Sequence, residues 1–199
     1  MTRHRFGVLA LLGLMVCGTP PAWATTYAID KDHTTVGFKI RHLFSKVDGV
    51  FREFEGQFEF APGAPDTWNA QATIQAASID TRVEERDHHL RSADFFEVEK
   101  YPTITFKSTQ VTEATPTSAK LQGLLTIHGV EKPVILDVAI HREGKDPWGN
   151  MRSGFTATTT IDRKDFGLTW NKALETGQFL VGEEVDITLE VEGLAKQAP

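Results

Sequence analysis

The chain contains one cysteine, Cys17, and it lies inside an N-terminal apolar run. The remainder therefore forms no disulfide and offers no thiol nucleophile or thiolate ligand. No G-x-S-x-G elbow is present, so the usual context of a hydrolase serine is missing. Neither H-x-x-x-H nor H-E-x-x-H occurs. His88 and His89 are adjacent, and neighbouring side chains on a helix diverge by about 100°, so the pair does not readily chelate one ion. Metal ligation is accordingly not expected, and the histidines read as surface or hydrogen-bonding groups. Ser78, His33 and Asp87 form no recognisable catalytic context, and Glu84-Glu85 and Glu183-Glu184 read as solvated faces. The 16 glycines are scattered rather than gathered into a phosphate loop. Basic residues are also in the minority, 21 against 27 acidic, for a net charge of −6. Such a surface repels nucleic acid and anionic membrane headgroups.

A long hydrophobic run is absent too. Phe6 to Val16 is too short to cross a bilayer as a helix, and Pro20-Pro21 stops a helix from continuing beyond it. With Arg3, His4 and Arg5 before it and Ala22-Trp23-Ala24 after it, the run has the form of a cleaved export signal. Residues 1–24 are thus expected to be a signal peptide directing the chain to the periplasm, with a single domain over 25–199. Lipidation at Cys17 is the alternative, and Val16 stands where a small residue is wanted. Without Arg3 and Arg5 the basic count falls from 21 to 19, and the net charge to −8. An exported chain without disulfides must draw its stability from its core.

Period-2 alternation fills that domain. Val36, Phe38 and Ile40 alternate with Gly37, Lys39 and Arg41; Phe54, Gly56, Phe58 and Phe60 alternate with Glu55, Gln57 and Glu59. The same pattern recurs at Ala70–Gln75, Ile104–Thr109, Val134–His141 and Val185–Glu192. One greasy and one wet face per strand is the mark of antiparallel sheet. Loops are expected at Ala61–Pro65, Thr112–Ala119, Ile127–Pro133 and Asp146–Asn150, and a frayed tail from Leu194 to Pro199. About eight such strands with little helix must close or sandwich to hide their edges.

Phenylalanine outnumbers tyrosine 13 to 2. Phe has no polar group to satisfy, so the bias suits either a packed sandwich core or a cavity for an apolar ligand. The stretch from Ser78 to Phe106 is the most distinctive. Two strands are joined by a charged segment, Arg82 to Arg91, followed by Asp94-Phe95-Phe96 and Tyr101-Pro102. The connection is too long for a simple hairpin. Thr81 and Glu84 have capping-box spacing, predicting two to three helical turns over Thr81–Arg91, and one further turn is expected over Asp162–Phe166.

Several segments resemble, in order, the YceI-like family of periplasmic lipocalin-like proteins. They are Tyr27-Ala28-Ile29-Asp30 with Val36-x-Phe38-x-Ile40-Arg41-His42, Ser78-Ile79-Asp80-Thr81, and Arg86-Asp87-x-His89-Leu90-Arg91-Ser92-x-Asp94-Phe95-Phe96. Tyr101-Pro102-x-Ile104-x-Phe106 and Leu125-Thr126-Ile127-His128-Gly129-Val130 come next. Arg163-x-Asp165-Phe166-Gly167-Leu168 with Trp170-Asn171 completes the series. The resemblance implies an all-β, extended eight-stranded antiparallel lipocalin-like barrel with a short helical cap. It also implies a carrier for a long-chain polyisoprenoid or similar amphiphile, such as a polyprenyl alcohol or phosphate or a quinone tail. It implies no catalytic residue and no cofactor beyond the bound lipid, and it admits a homodimer. The alternative is an enzyme acting on a lipid or quinone inside the barrel through His33, His42 or Asp87.

A closed barrel turns one face of each strand inward. Val36, Phe38, Ile40, Phe58, Ile74, Ile104, Phe106, Leu136, Phe155 and Ile187 are therefore expected to line an apolar tunnel. Leu90, Phe95 and Phe96 are expected to plug one end, with Arg86 and Asp87 as a fixed pair that holds the cap together with Asp94. Ligand would then enter at the opposite end.

Overall fold

The computed structural model describes residues 24–174 and 179–196. Apart from Ala24, the expected export signal lies outside these residues. Eleven strands form one sheet that closes on itself through pairing of its first and last strands, and three of the barrel's staves are broken in two. Strands β1 (Thr25–Ile29) and β2 (Thr35–His42) run in succession along one edge of β11 (Val181–Ala195). They are interrupted where the Asp30 carboxylate accepts a hydrogen bond from Asp32 N at 3.1 Å, a local turn that competes with the ladder. Strands β3 (Ser45–Phe51) and β4 (Phe54–Phe60) form the second broken strand, and β5 (Asn69–Gln75) and β6 (Ile79–Asp80) the third. Strands β7 (Thr103–Thr112), β8 (Ser118–Ile127), β9 (Val130–Lys145) and β10 (Met151–Asp162) continue the antiparallel meander to β11. Tyr27 pairs with both Phe58 on β4 and Ala195 on β11, which seals the barrel. With each broken strand taken as one, the barrel has eight antiparallel strands.

The expected punctuation recurs with its reasons. His128 and Gly129 hold positive φ of 52° and 74°, the conformation a two-residue hairpin turn requires; β9 already begins at Val130, so Pro133 lies within a strand. The Asp146 carboxylate accepts from Trp148 N and Asn150 N and shapes the β9–β10 turn. A 3-10 turn forms over Arg163–Phe166, with Asp162 accepting from Lys164 N at its start. The expected fraying does not begin at Leu194: Leu194 and Ala195 pair with Ala28 and Tyr27, and Lys196 N donates to Thr26 O. Barrel closure supplies the partners that the end of a chain otherwise lacks.

Among the described residues one α-helix forms, α1 (Glu84–Arg91), and it starts later than expected. Its N-cap residue is Val83, without a side-chain cap, and Thr81 takes no part in a capping box. The Thr81 hydroxyl is instead committed to Asp87 and Arg86. Acidic residues in the first turn and basic residues in the last favour this helix through its dipole. Arg91 ties it to the sheet by donating to Ala77 O and Ile79 O at 2.8 and 2.9 Å.

Candidate functional site

A cavity of about 490 Å³ occupies the barrel interior, within the range of about 300–1,000 Å³ usual for ligand pockets. Its wall takes Val36, Phe38 and Ile40 from β2, Ile74 from β5, Ile104 and Phe106 from β7, Leu136 from β9 and Ile187 from β11. All eight are residues that the alternation turns inward. The same stripe supplies Val185, Leu189 and Val191, which the period-2 pattern marks equally well. Two of the phenylalanines lie over glycines of the neighbouring strand. A Cβ at Gly49 would come within 2.2 Å of Phe38 Cζ, and one at Gly123 within 2.5 Å of Phe106 Cε2. Those glycines let the rings approach the wall closely.

Phe58 and Phe155 depart from the expected lining. They do not border this cavity but fill the end of the barrel near β1 and the C-terminal part of β11. Phe58 stacks on Tyr27 with ring centroids 5.0 Å apart and meets Phe155 edge-on at 5.1 Å. Tyr27 is fully buried. Gly193 faces the same cluster, where a Cβ would stand 2.5 Å from Phe58 Cε1. Burial, and next the charge of Glu143, push the Tyr27 phenol up to about 12. This aromatic packing fills the lumen at the end expected to be open, beside a polar cleft that Phe155 also borders.

The opposite end lies under α1. Leu90, Phe95 and Phe96 reach the cavity there as expected. Phe96 meets Phe51 edge-on at 5.8 Å, and Phe95 packs on Trp170 at 5.1 Å. The anchor differs from the expected Arg86–Asp87 pair. Asp87 is buried and accepts from Thr81 N at 2.9 Å and Thr81 Oγ1 at 2.5 Å. Arg86 donates to Thr81 Oγ1 and Thr81 O, both at 2.7 Å. Thr81 thus links two groups that do not bond each other, because adjacent helix residues point apart. Asp94 is exposed and lies 2.9 Å from His89 Nε2, so it braces the segment rather than the barrel. The charged and ionisable lining residues, His42, Glu85, Arg86, His89 and Arg163, gather at this end with Thr81 and Trp170, and Glu85 is solvent-exposed. The cavity therefore meets solvent beside the cap. Arg163 and Trp170 carry no periodic signal, and only the family-like run Arg163 to Asn171 marks them.

The residues of the enzymic alternative are dispersed. His33 is exposed, with Nδ1 2.9 Å from Asp30 Oδ2. Asp87 is held by Thr81, and only His42 and the cap histidine His89 border the cavity among the histidines. Ser78 donates to Gln75 O at 2.7 Å and joins neither. Asp30, His33 and Glu192 bring ligand atoms within 4.8 Å of one another, but a cation already sits among them. Arg152 Nη1 is 2.6 Å from both Asp30 and Glu192, and Arg152 Nε is 2.9 Å from Asp146. The Arg152 guanidinium holds the Asp30 carboxyl down to about 2.

Residues 27–193 match the YceI-like domain family. A UPF0312 protein of Ectopseudomonas mendocina is 41% identical over 197 residues, spanning 98% of this chain and 99% of that protein. Among solved structures, the Campylobacter jejuni YceI protein superposes with a TM-score of 0.68 at 34% identity, covering 84% of this chain and 96% of that one. A polyisoprenoid binding domain from Saccharophagus degradans shares the fold, with a TM-score of 0.66 at 16% identity over 86% of this chain and 99% of that one.

Proposed function

The chain belongs to the YceI-like family, and on that premise we propose that it is a periplasmic carrier that holds a long-chain isoprenoid or similar amphiphile in its barrel. The observation that carries this reading is the cavity. Its wall is built largely from Val, Ile, Leu and Phe side chains of successive strands, with the charged and ionisable groups at the α1 end. A site of that form recognises an apolar chain by burial, which is non-directional and grows with the area removed from water. It offers an amphiphile one wet end for its head. The Saccharophagus degradans domain, whose name states polyisoprenoid binding, has the same fold, and that supports the class of ligand. Of His33, His42 and Asp87 only His42 borders the cavity, and neither of the others stands beside it there, so carriage is preferred to an enzyme acting on a lipid or quinone.

The test is organic extraction of purified protein followed by mass spectrometry, alongside Phe106→Asp. Wild type is expected to release an intact isoprenoid-class lipid or, once stripped, to take up added polyprenol. The variant buries a carboxylate in an apolar wall at a cost of several kcal/mol; it is expected to lose ligand and melt earlier. Folded wild type that neither yields lipid nor takes up polyprenol overturns the proposal. A folded Phe106→Asp protein that still retains lipid removes Phe106 from the site.

A further inference from the structure

Arg163 begins the 3-10 turn at the end of β10, and its side chain borders the apolar cavity. It is 3% exposed. Nε donates to Gly182 O at 2.8 Å and Nη1 donates to Leu168 O. Nη2 is buried and meets no acceptor. Asp162 and Glu183 reach this guanidinium only through their field, without a hydrogen bond, and burial pushes its pKa down. Arginine nevertheless keeps its proton in proteins. A buried cation held by two neutral carbonyls bears a desolvation cost that only an opposite charge offsets well.

A second guanidinium borders the same end. Arg86 satisfies Nε and Nη2 on Thr81, and among the described residues neither arginine pairs with a carboxylate. The two lie on elements that pack together. Leu168, whose carbonyl holds Arg163, is followed closely by Trp170, and Trp170 sits 4.8 Å from His89 and 5.1 Å from Phe95 of the cap. Glu85, the one carboxylate in the cavity wall, is on the exposed face. An acidic protein has thus set two unpaired cations where its apolar lumen becomes polar.

We propose that the α1 end of the cavity is a headgroup site for an anionic oxygen acceptor, phosphate or carboxylate, at the end of an apolar chain. Arg163 is its anchor and Arg86 its second cation. The inference rests on the carrier reading above and adds the chemistry and orientation of the ligand: head under α1, tail running toward Phe106 and Leu136. Hydrogen bonds from a guanidinium to an ionised oxygen are shorter and stronger than those to a neutral one. A low-dielectric surround strengthens them further. A neutral alcohol on the same chain leaves both positive charges unmatched.

The experiment uses lipid-stripped full-length protein and four probes in separate titrations: a polyprenyl monophosphate, the polyprenol of equal chain length, a long-chain fatty acid, and the fatty alcohol of equal length. At least one anionic probe is expected to bind about tenfold tighter than its uncharged counterpart, polyprenol for the phosphate and the fatty alcohol of equal length for the acid. Which anion shows the preference separates phosphate from carboxylate. Arg163→Met is expected to abolish the preference while uptake of the alcohol persists, and Arg163→Lys to restore part of it. Because Arg163 also fastens its turn to β11, Arg86→Met provides a second arm and is expected to reduce the preference. Equal affinity for charged and neutral chains overturns the headgroup site and leaves the carrier reading standing. Failure of every probe overturns both. A preference that survives in Arg163→Met, or in Arg86→Met if the first variant does not fold, overturns the assignment to these arginines.

Discussion

At one end of the barrel Phe58 lies between Tyr27 and Phe155, with ring centroids 5.0 and 5.1 Å away. At the other, Phe38 and Phe106 lie over Gly49 and Gly123 and border a cavity of about 490 Å³. The residue types are the same, each ring is turned inward by the same alternation, and each has a glycine beside it. The difference is what faces the ring across the lumen. Phe58 has two further aromatic rings within reach, Tyr27 from the neighbouring β1 and Phe155 from β10. Phe106 faces mainly aliphatic side chains that do not span the gap. Whether an inward phenylalanine packs a core or lines a tunnel is thus decided across the barrel, not along the strand.

That contrast makes the largest effect the loss of a ring from the filled end. Phe58→Ala is expected to cost about 3–5 kcal/mol, because a close-packed site cannot collapse around the lost ring. Ile187→Ala, in the hollow part, is expected to cost about 2 kcal/mol, since one side of that residue already lacks neighbours. Urea unfolding of both variants measures the gap, and equal costs would erase the distinction between the ends.

A middle-sized effect is expected at the cap. Asp87→Ala leaves the buried Thr81 N–H without an acceptor and frees the hydroxyl that Arg86 uses. The cost is expected to be about 1–3 kcal/mol, with faster hydrogen exchange over residues 82–96. Asp87→Asn, which keeps an acceptor, is expected to lose less. Unchanged melting and unchanged protection would make these charges a solvated face and the cap an unanchored loop.

The smallest effect belongs to the outer wall beside the filled end, where Arg152 joins Asp30, Asp146 and Glu192. The Asp30 carboxyl is held down to about 2 in the folded protein, Arg152 being the first cause, against about 3.9 for an unperturbed aspartate. Since the folded value is the lower, the pairing stabilises fully above about 3.9 and ceases to do so as pH falls through about 2. Melting temperatures of wild type and Arg152→Ala are therefore expected to differ modestly at neutral pH and to draw closer as pH falls towards 2, with a remainder from Asp146, whose carboxyl Arg152 holds lower still. A gap that stays constant down to that pH would show that Arg152 acts by packing alone.

Much of this was legible along the chain. Val36, Phe38 and Ile40, or Val185, Ile187 and Leu189, announce strands with one buried face, and eleven of the thirteen residues expected to touch ligand border the cavity. The cap was legible as a polar segment ending in Phe95-Phe96. Its anchor was not, because Thr81 bridges Arg86 and Asp87 only once the helix turns their side chains apart. Nor were Arg163 and Trp170, which sit beyond the end of a strand where no period operates.

The sequence by itself determined the strands, their inward faces and the turns, because alternation, positive-φ positions and side-chain-capped turns act over a few residues. Only the tertiary structure decided which end of the barrel is packed with aromatic rings and which is hollow, and that two arginines border the hollow end. Those outcomes depend on how strands distant in sequence converge, as β1, β4 and β11 do around Phe58, and the distance across a closed barrel is set by all of its strands together.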